Sequence, residues 1–369
     1  MRGSKEKHYL DIDVLTAAKK RIREVIMNFD KLYVCFSGGK DSLVTLHLVE
    51  EVYREMGLKD KVNVIFRDEE VIPSVVVNFV QSYAESGKYN FDYYAVPLKS
   101  NKYILGRTYD YVQWDANRKH MRNPPPYAIT LPPGDNRIFD QYTMDDFCTR
   151  NDKCKCCLLL GMRADESFYR LVGCLKGSWL MQKSRKVYIA KPIYDWCEKD
   201  IFKFLYERNI QPCPIYDIQA FNNEALRVST PLHAESAKRM FKIKSRDALF
   251  FEQIMEIFPE VRVQAMYYKD LNTDCIVDSY PHTVNGIIKY IDDEIQDPIQ
   301  NRTAKKKLES CWKSRCKRIA ENPSVEADRL GGFPVLYLFE KIIAGAFKRQ
   351  IPPCQEVTQR MKDYEENKN

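Results

Sequence analysis

The chain has 369 residues, 58 Lys and Arg against 51 Asp and Glu, and a formal net charge of +7. That length allows one large domain with an appendage, or two domains. No apolar run is long enough to span a bilayer, residues 1–7 lack the apolar core of a signal peptide, and 12 cysteines in so long a chain do not read as a disulfide framework, so a cytoplasmic globular protein is expected.

Leu15, Ala18, Ile22, Val25 and Ile26 form one apolar stripe and predict a helix over about 11–29. Leu32 to Phe36 is a short apolar run and reads as a buried strand. Leu43, Leu46, His47 and residues 49–53 then recur at helical spacing. Between strand and helix lies Ser37-Gly38-Gly39-Lys40-Asp41-Ser42. A strand, a Gly-rich turn and a helix N-terminus together make an anion cradle, because free N–H groups and the helix dipole attract phosphate. Lys40 adds a mobile positive charge, Ser37 and Ser42 add hydroxyl donors, and Asp41 is placed to hold Mg²⁺. The spacing is that of neither a Walker A loop nor GxGxxG.

A second strand is expected at Val62 to Phe66, followed by Arg67, Asp68, Glu69 and Glu70. Pro73 opens a helix to about Ser86, and a third strand follows at Tyr93 to Pro97. This alternation predicts an α/β fold with a doubly wound, mostly parallel sheet of about five strands. Residues 101–152 contain Pro124-Pro125-Pro126 and Pro132-Pro133-Gly134, which forbid regular structure locally. Their aromatic content predicts an ordered, lid-like insertion. Strands four and five are expected at about 156–162 and 186–190, with a helix starting near Ala164 between them. Glu198 to Arg208 reads as an amphipathic helix. The expected organisation is an N-terminal helix over 1–30, an α/β domain over 31–230 and a helical, basic region over 231–369.

In such sheets ligands bind beyond the carboxyl ends of the strands, where the strand order reverses. Three polar strand ends are therefore expected to converge: the 37–42 loop, residues 67–70, and Gly161-Met162-Arg163-Ala164-Asp165-Glu166-Ser167 with Arg170 one turn on. Arg163 and Arg170 offer planar forks to oxyanions, while Asp165, Glu166 and Ser167 suit a helix start. His47 reads as structural, and His120, His233 and His282 suggest no triad. Cys148, Cys154, Cys156 and Cys157 are closely spaced, as in a zinc or iron–sulfur site. Cys156 and Cys157 are adjacent on a strand and point to opposite faces, which favours buried thiols.

The Ser37–Ser42 segment resembles the SGGxDS pyrophosphate loop of the ATP-pyrophosphatase and PAPS-reductase superfamily. The run from Gly161 to Arg170 resembles the GxRxDES signature of PAPS reductases and ATP sulfurylase small subunits. Residues 191–217 (KPIYDWCEKDIFKFLYERNIQPCPIYD) are similar to a stretch of the same superfamily, and Arg227 to Pro231 to one branch of PAPS-reductase-like proteins. The resemblance implies an adenine nucleotide, ATP or PAPS-like, with Mg²⁺ held through Asp41 and the phosphates. It implies catalytic roles for Lys40, Asp41, Arg163 and Arg170. Nucleotide contacts are implied for Ser37, Gly38, Gly39, Ser42, Asp68, Glu69, Asp165, Glu166 and Ser167.

With Lys40 and Asp41 both intact, the resemblance favours cleavage of ATP between its α and β phosphates and adenylyl transfer to an acceptor. Sulfur metabolism and nucleic-acid modification are the settings it suggests. PAPS reductases carry a C-terminal ECGxH segment; the last cysteine here, Cys354, sits instead in Pro352-Pro353-Cys354-Gln355-Glu356. Two alternatives stay open: a sulfonucleotide reductase or sulfotransferase-like protein, and a nucleotide-binding regulatory subunit without turnover. Residues 302–318 hold eight basic residues against the single acid Glu309. They read as a solvated helix face or as a docking patch for nucleic acid or a protein partner. Self-association is left open.

Overall fold

The computed structural model describes residues 10–353 except 106, 150–153, 168–169, 172, 175–177, 185, 223–225, 234–236, 238–239, 268–276, 278, 322–332 and 349. Cys354 lies outside them. The chain forms two compact units: Met1–Ser100 with Tyr111–Thr230, and Asn101–Asp110 with Pro231–Asn369.

In the first unit α1 (Val14–Asn28) is capped by Asp13, whose carboxylate accepts the Thr16 N–H at 2.9 Å. It is followed by β1 (Lys31–Cys35), α2 (Lys40–Glu55), β2 (Asn63–Arg67), α3 (Ser74–Glu85) and β3 (Asn90–Tyr94). The hairpin of β4 (Leu98–Ile104) and β5 (Arg107–Gln113) comes next, then α4 (Gln141–Thr149) and β6 (Cys156–Leu160). β7 (Leu180–Gln182), β8 (Val187–Ala190), α5 (Glu198–Glu207) and α6 (Ile215–Phe221) complete the unit.

Among the described residues the main sheet has six strands in the order β3-β2-β1-β6-β8-β7, parallel except for β7. The expected strands are present, with the third shifted toward its N-terminus. β7 is an added antiparallel edge strand, too short to leave a sequence signal. Strand alternation divides the core between the two faces of the sheet. Val34, Phe36, Val64, Cys157 and Leu159 pack on one side with Leu43 and Leu46 of α2. Tyr33, Ile65, Cys156 and Leu158 pack on the other with Met144 and Cys148 of α4.

The segment expected to be an irregular lid is more ordered than that. It holds β5 and α4, joins the main sheet through a bridge at Tyr94–Ile129 and the hairpin through one at Leu98–Phe139, and gives residues 101–110 to the second unit. The helix expected near Ala164 starts as a 3₁₀ turn over Ala164–Glu166.

The second unit is helical: α7 (Met240–Arg246), α8 (Ala248–Ile257), α9 (Val261–Tyr267), α10 (Val284–Glu294), α11 (Pro298–Glu321) and α12 (Val335–Ile343). α11 carries the basic segment. It buries Ala304, Leu308 and Cys311 and exposes Arg302, Lys306, Lys313 and Lys317. Arg315 departs from a surface role: it is buried, and its Nη1 donates to the Phe333 carbonyl at 3.2 Å. Among the described residues no helix is long and apolar enough to cross a membrane.

Candidate functional site

The sheet order reverses at β1. The chain steps outward through β2 and β3, then returns to place β6 on β1's other side. β1 and β6 run in parallel register, with Cys35 opposite Leu160. The 37–42 loop and the 161–170 segment therefore leave neighbouring strands at the same height, and the crevice between them is the topological switch point. Two glycines permit the approach. Gly38 has φ +74°, in the left-handed region, and a Cβ there would come within 2.8 Å of Val80. A Cβ on Gly161 would sit 2.6 Å from the Asp41 backbone, so only glycine lets β6 pass the start of α2 so closely.

The crevice is a cleft of about 350 Å³. Ser37, Gly39, Lys40, Asp41 and Ser42 form one wall; Gly161, Arg163, Asp165, Glu166 and Arg170 form the second. Glu198, Tyr216 and Leu226 to Val228 close it. Lys40 is buried, with Nζ 2.9 Å from the Leu226 carbonyl, 3.3 Å from Glu198 and 3.5 Å from Asp41. Arg163 is buried and pairs through Nε with Asp41 across the cleft. Its Nη1 has no hydrogen-bond partner and lies 3.7 Å from Asp165. Arg170 pairs with Glu166. Desolvation, then the neighbouring charge of Arg227, holds its guanidinium below the ordinary arginine value, while Asp41 acts in the opposite sense. Lys40, Arg163, Arg170 and Arg227 thus share the cleft with Asp41, Asp165, Glu166 and Glu198.

The loop amides are less open than the sequence suggests. Ser37 N–H donates to Ser42 Oγ at 3.1 Å, Gly39 N–H to Ser37 Oγ at 3.3 Å, and Lys40 N–H to the Tyr216 hydroxyl at 2.7 Å.

Four expected contact residues do not line the cleft. Gly38 faces Val76 and Val80. Ser167 caps the next turn, accepting the Arg170 N–H at 3.3 Å. Asp68 is buried and accepts from Arg122, from the Tyr93 hydroxyl at 2.6 Å and from the Glu70 N–H at 2.8 Å. Glu69 also lies away from the cleft. Burial raises its carboxyl above the usual range, a Thr230 backbone hydrogen bond lowers it, and the Asp68 charge raises it further. The acids of β2 thus form a structural cluster. Glu70, with φ 62°, accepts from Trp114 N–H at 2.6 Å, Met121 N–H at 3.2 Å and Arg118 Nη1 at 2.7 Å.

The four cysteines do not gather into one ligand set. Cys157 faces the α2 side of the sheet and Cys156 the α4 side. The Cys154 and Cys156 sulfurs are 4.0 Å apart, and among the described residues no group of three or more His, Cys, Asp or Glu could hold a metal ion. Trp196 is buried, with Nε1 donating to the Val14 carbonyl at 3.0 Å, and Asp195 pairs with Arg21. A larger hollow of about 640 Å³ lies along α2 and the end of α3. Several of its polar groups pair with one another: Glu50 lies 2.7 Å from His47 and accepts from Tyr89 at 3.0 Å, and Arg208 pairs with Glu51.

Glu198 and Tyr216 come from the 191–217 stretch, and Arg227 from the 227–231 segment that follows. No local spacing points them at the loop; only the return of α5 and α6 to the switch point does.

A curated protein from Escherichia coli (strain K12), the uncharacterized protein YbdN, is 27% identical over 267 residues, 67% of this chain and 63% of that one. This chain therefore spans under two thirds of that relative's length. Among solved structures, an FMN adenylyltransferase from Candida glabrata in complex with FAD and inorganic pyrophosphate aligns at 14% identity and TM-score 0.38, covering 55% of this chain and 58% of that one. A phosphoadenylyl-sulfate reductase from Candida auris in a phosphate complex aligns at 12% identity and TM-score 0.33, covering 55% and 84%. The family model described as phosphoadenosine phosphosulfate reductase domain matches residues 31–223, the span that contains both walls of the cleft. The chain belongs to the phosphoadenosine phosphosulfate reductase domain family.

Proposed function

We propose that the cleft binds ATP by its β and γ phosphates and transfers the adenylyl group to an acceptor, releasing pyrophosphate. One observation carries this reading: Lys40 and Arg163, both buried, line one cleft at the switch point on either side of Asp41, and Arg163 Nη1 has no hydrogen-bond partner, only the Asp165 carboxylate at 3.7 Å. A buried guanidinium nitrogen left open costs free energy unless something accepts from it. A phosphate oxygen is the natural acceptor.

In the reaction an acceptor oxygen attacks the α-phosphorus. The bond from that phosphorus to the α–β bridging oxygen breaks, and its electron pair leaves with pyrophosphate. Lys40 and Arg163 offset the charge gathering on the leaving group, and the rigid strand-end frame keeps attacking and departing oxygens in line. The cleft's four carboxylates match its four cations, so a bare triphosphate would meet as much repulsion as attraction. The donor set fits Mg²⁺, which binds through one or two carboxylates plus substrate phosphates rather than a full protein cage. Asp41 is the residue that would hold it, and the ion would neutralise triphosphate charge when bound. The ECGxH segment of sulfonucleotide reductases is absent, which favours adenylyl transfer over reduction.

The test is pyrophosphate release from Mg·ATP across sulfate, carboxylate and nucleic-acid acceptors, with ATP affinity measured by calorimetry. Lys40→Ala is expected to weaken ATP binding by about ten- to a hundredfold, the loss of one charge-assisted contact, with an unchanged far-UV spectrum. Full ATP affinity in that variant overturns the reading. Thioredoxin-dependent sulfite release from PAPS selects the reductase alternative.

A further inference from the structure

We infer that Tyr216 is a phosphate-contacting residue of this cleft, its hydroxyl taking the Lys40 amide proton and offering its own proton to the ligand. The inference rests on the nucleotide reading above and deepens it.

Tyr216 sits in the first turn of α6, 4% exposed, and its ring belongs to the main core. Its backbone N–H donates to the Cys213 carbonyl, just before the helix, at 3.1 Å. The hydroxyl reaches the start of α2, where its oxygen accepts the Lys40 N–H at 2.7 Å. That amide is one of the four that begin a helix without an intrahelical acceptor, and the phenol supplies the acceptor. A phenol has one proton of its own to place. Among the described residues the Tyr216 hydroxyl donates to no protein acceptor, and the residue lines the cleft. Desolvation pushes its ionisation to higher pH, with the Lys40 hydrogen bond acting the other way, so the proton is kept at physiological pH.

The arrangement relays the helix N-terminus outward. The hydroxyl accepts from the amide and is polarised by it, and the bond it donates in turn is strengthened. Lys40 Nζ lies 5.4 Å from the same ring, so hydroxyl and ammonium address one region. Gly39 leaves the room: a Cβ there would come 3.4 Å from the Tyr216 oxygen and 3.2 Å from Ser37 Oγ. The opposite possibility is that the phenol is a plug occupying an amide the phosphate needs. The two arrangements differ in sign.

Calorimetric titration of the full chain with inorganic pyrophosphate, ATP and adenosine, in Mg²⁺ buffer, separates them. For Tyr216→Phe the relay predicts about tenfold weaker binding of pyrophosphate and ATP, with adenosine affinity unchanged. A merely structural role would shift all three ligands together. Unchanged or tighter pyrophosphate binding in the variant, where wild type binds ATP, overturns the relay and leaves the nucleotide reading standing. Wild type that binds neither ATP nor pyrophosphate overturns both. If Tyr216→Phe does not fold, Gly39→Ala serves instead: its methyl crowds the hydroxyl from the loop side, and the same selective loss for pyrophosphate and ATP is expected. Undiminished pyrophosphate affinity in Gly39→Ala overturns the relay.

Discussion

At the carboxyl end of β1, Lys40 and Asp41 look into an open cleft, and the buried Arg163 opposite them keeps one nitrogen unbonded. At the carboxyl end of β2, one strand over, Asp68 and Glu70 are equally charged and fully buried. There the carboxylates accept from two arginines, a tyrosine hydroxyl and three backbone amides. Both clusters occupy positions where open α/β sheets bind ligands. The difference lies in what returns to cover them. Residues 114–122 close over β2 and bring Arg118, Arg122 and two of those amides with them. Arg163 Nη1 has only the Asp165 carboxylate at 3.7 Å, and at the β2 end Arg67 Nε and Arg122 Nε are likewise without a hydrogen-bond partner, so the contrast lies in the carboxylates. The two strand ends thus differ in how far the chain itself covers their acids: Asp68 and Glu70 are enclosed, whereas Asp41 lines a cleft.

The comparison can be broken most forcefully at Glu70. Glu70→Ala removes the acceptor for Arg118 and for the Trp114 and Met121 amides, leaving buried charge and donors unpaired. A loss of about 3–5 kcal/mol is expected in urea unfolding of the first unit. The left-handed backbone at this residue, φ 62°, adds to the case that these bonds hold it in place. A loss no larger than that of Lys40→Ala would show that the two strand ends are not energetically distinct.

Gly161→Ala tests the open cluster. Its methyl meets the Asp41 backbone at 2.6 Å, and backbone cannot swing aside. A cost of about 1–3 kcal/mol is expected from overpacking, with nucleotide affinity falling more than stability because the two walls are pushed apart.

The smallest effect comes from Cys157, buried under neither cluster. Burial first, and the neighbouring Cys35 second, push its thiol from 9.0 up to about 12. In the unfolded chain the thiol ionises above pH 9, while in the fold it stays protonated. Its contribution is therefore intact below pH 9 and lost as pH rises toward 12. Between pH 9 and 10 the decline is on the order of 1 kcal/mol, and Cys157→Ala should flatten the pH slope of denaturant midpoints by that amount.

Much of the scaffold and half of the cleft were legible in the residues. Strands β1, β2, β6 and β8 are short apolar runs, and the glycines, Lys40 and Arg163 stand at fixed offsets from them. The paired acids were misread because their partners, Arg118 and Arg122, lie some fifty residues on, and no local pattern announces such a pairing. The hairpin was hidden by its polar composition: of the seven residues of β5 only Tyr111 and Gln113 are buried. Tyr216 resembles any core tyrosine until α6 is seen to lead its hydroxyl to the loop.

The hairpin has one more bearing on how this molecule can be handled. Its tip, residues 101–110, is counted with the helices that begin at residue 231, and Tyr103 N–H donates to the Leu232 carbonyl at 2.8 Å. The peptide chain therefore crosses from one unit to the other three times. A fragment ending at residue 230 would strand ten residues whose companions have been cut away, with Tyr103 and Ile104 newly wetted. Dissection of this protein, in the laboratory or by gene fusion, cannot be done with a single cut.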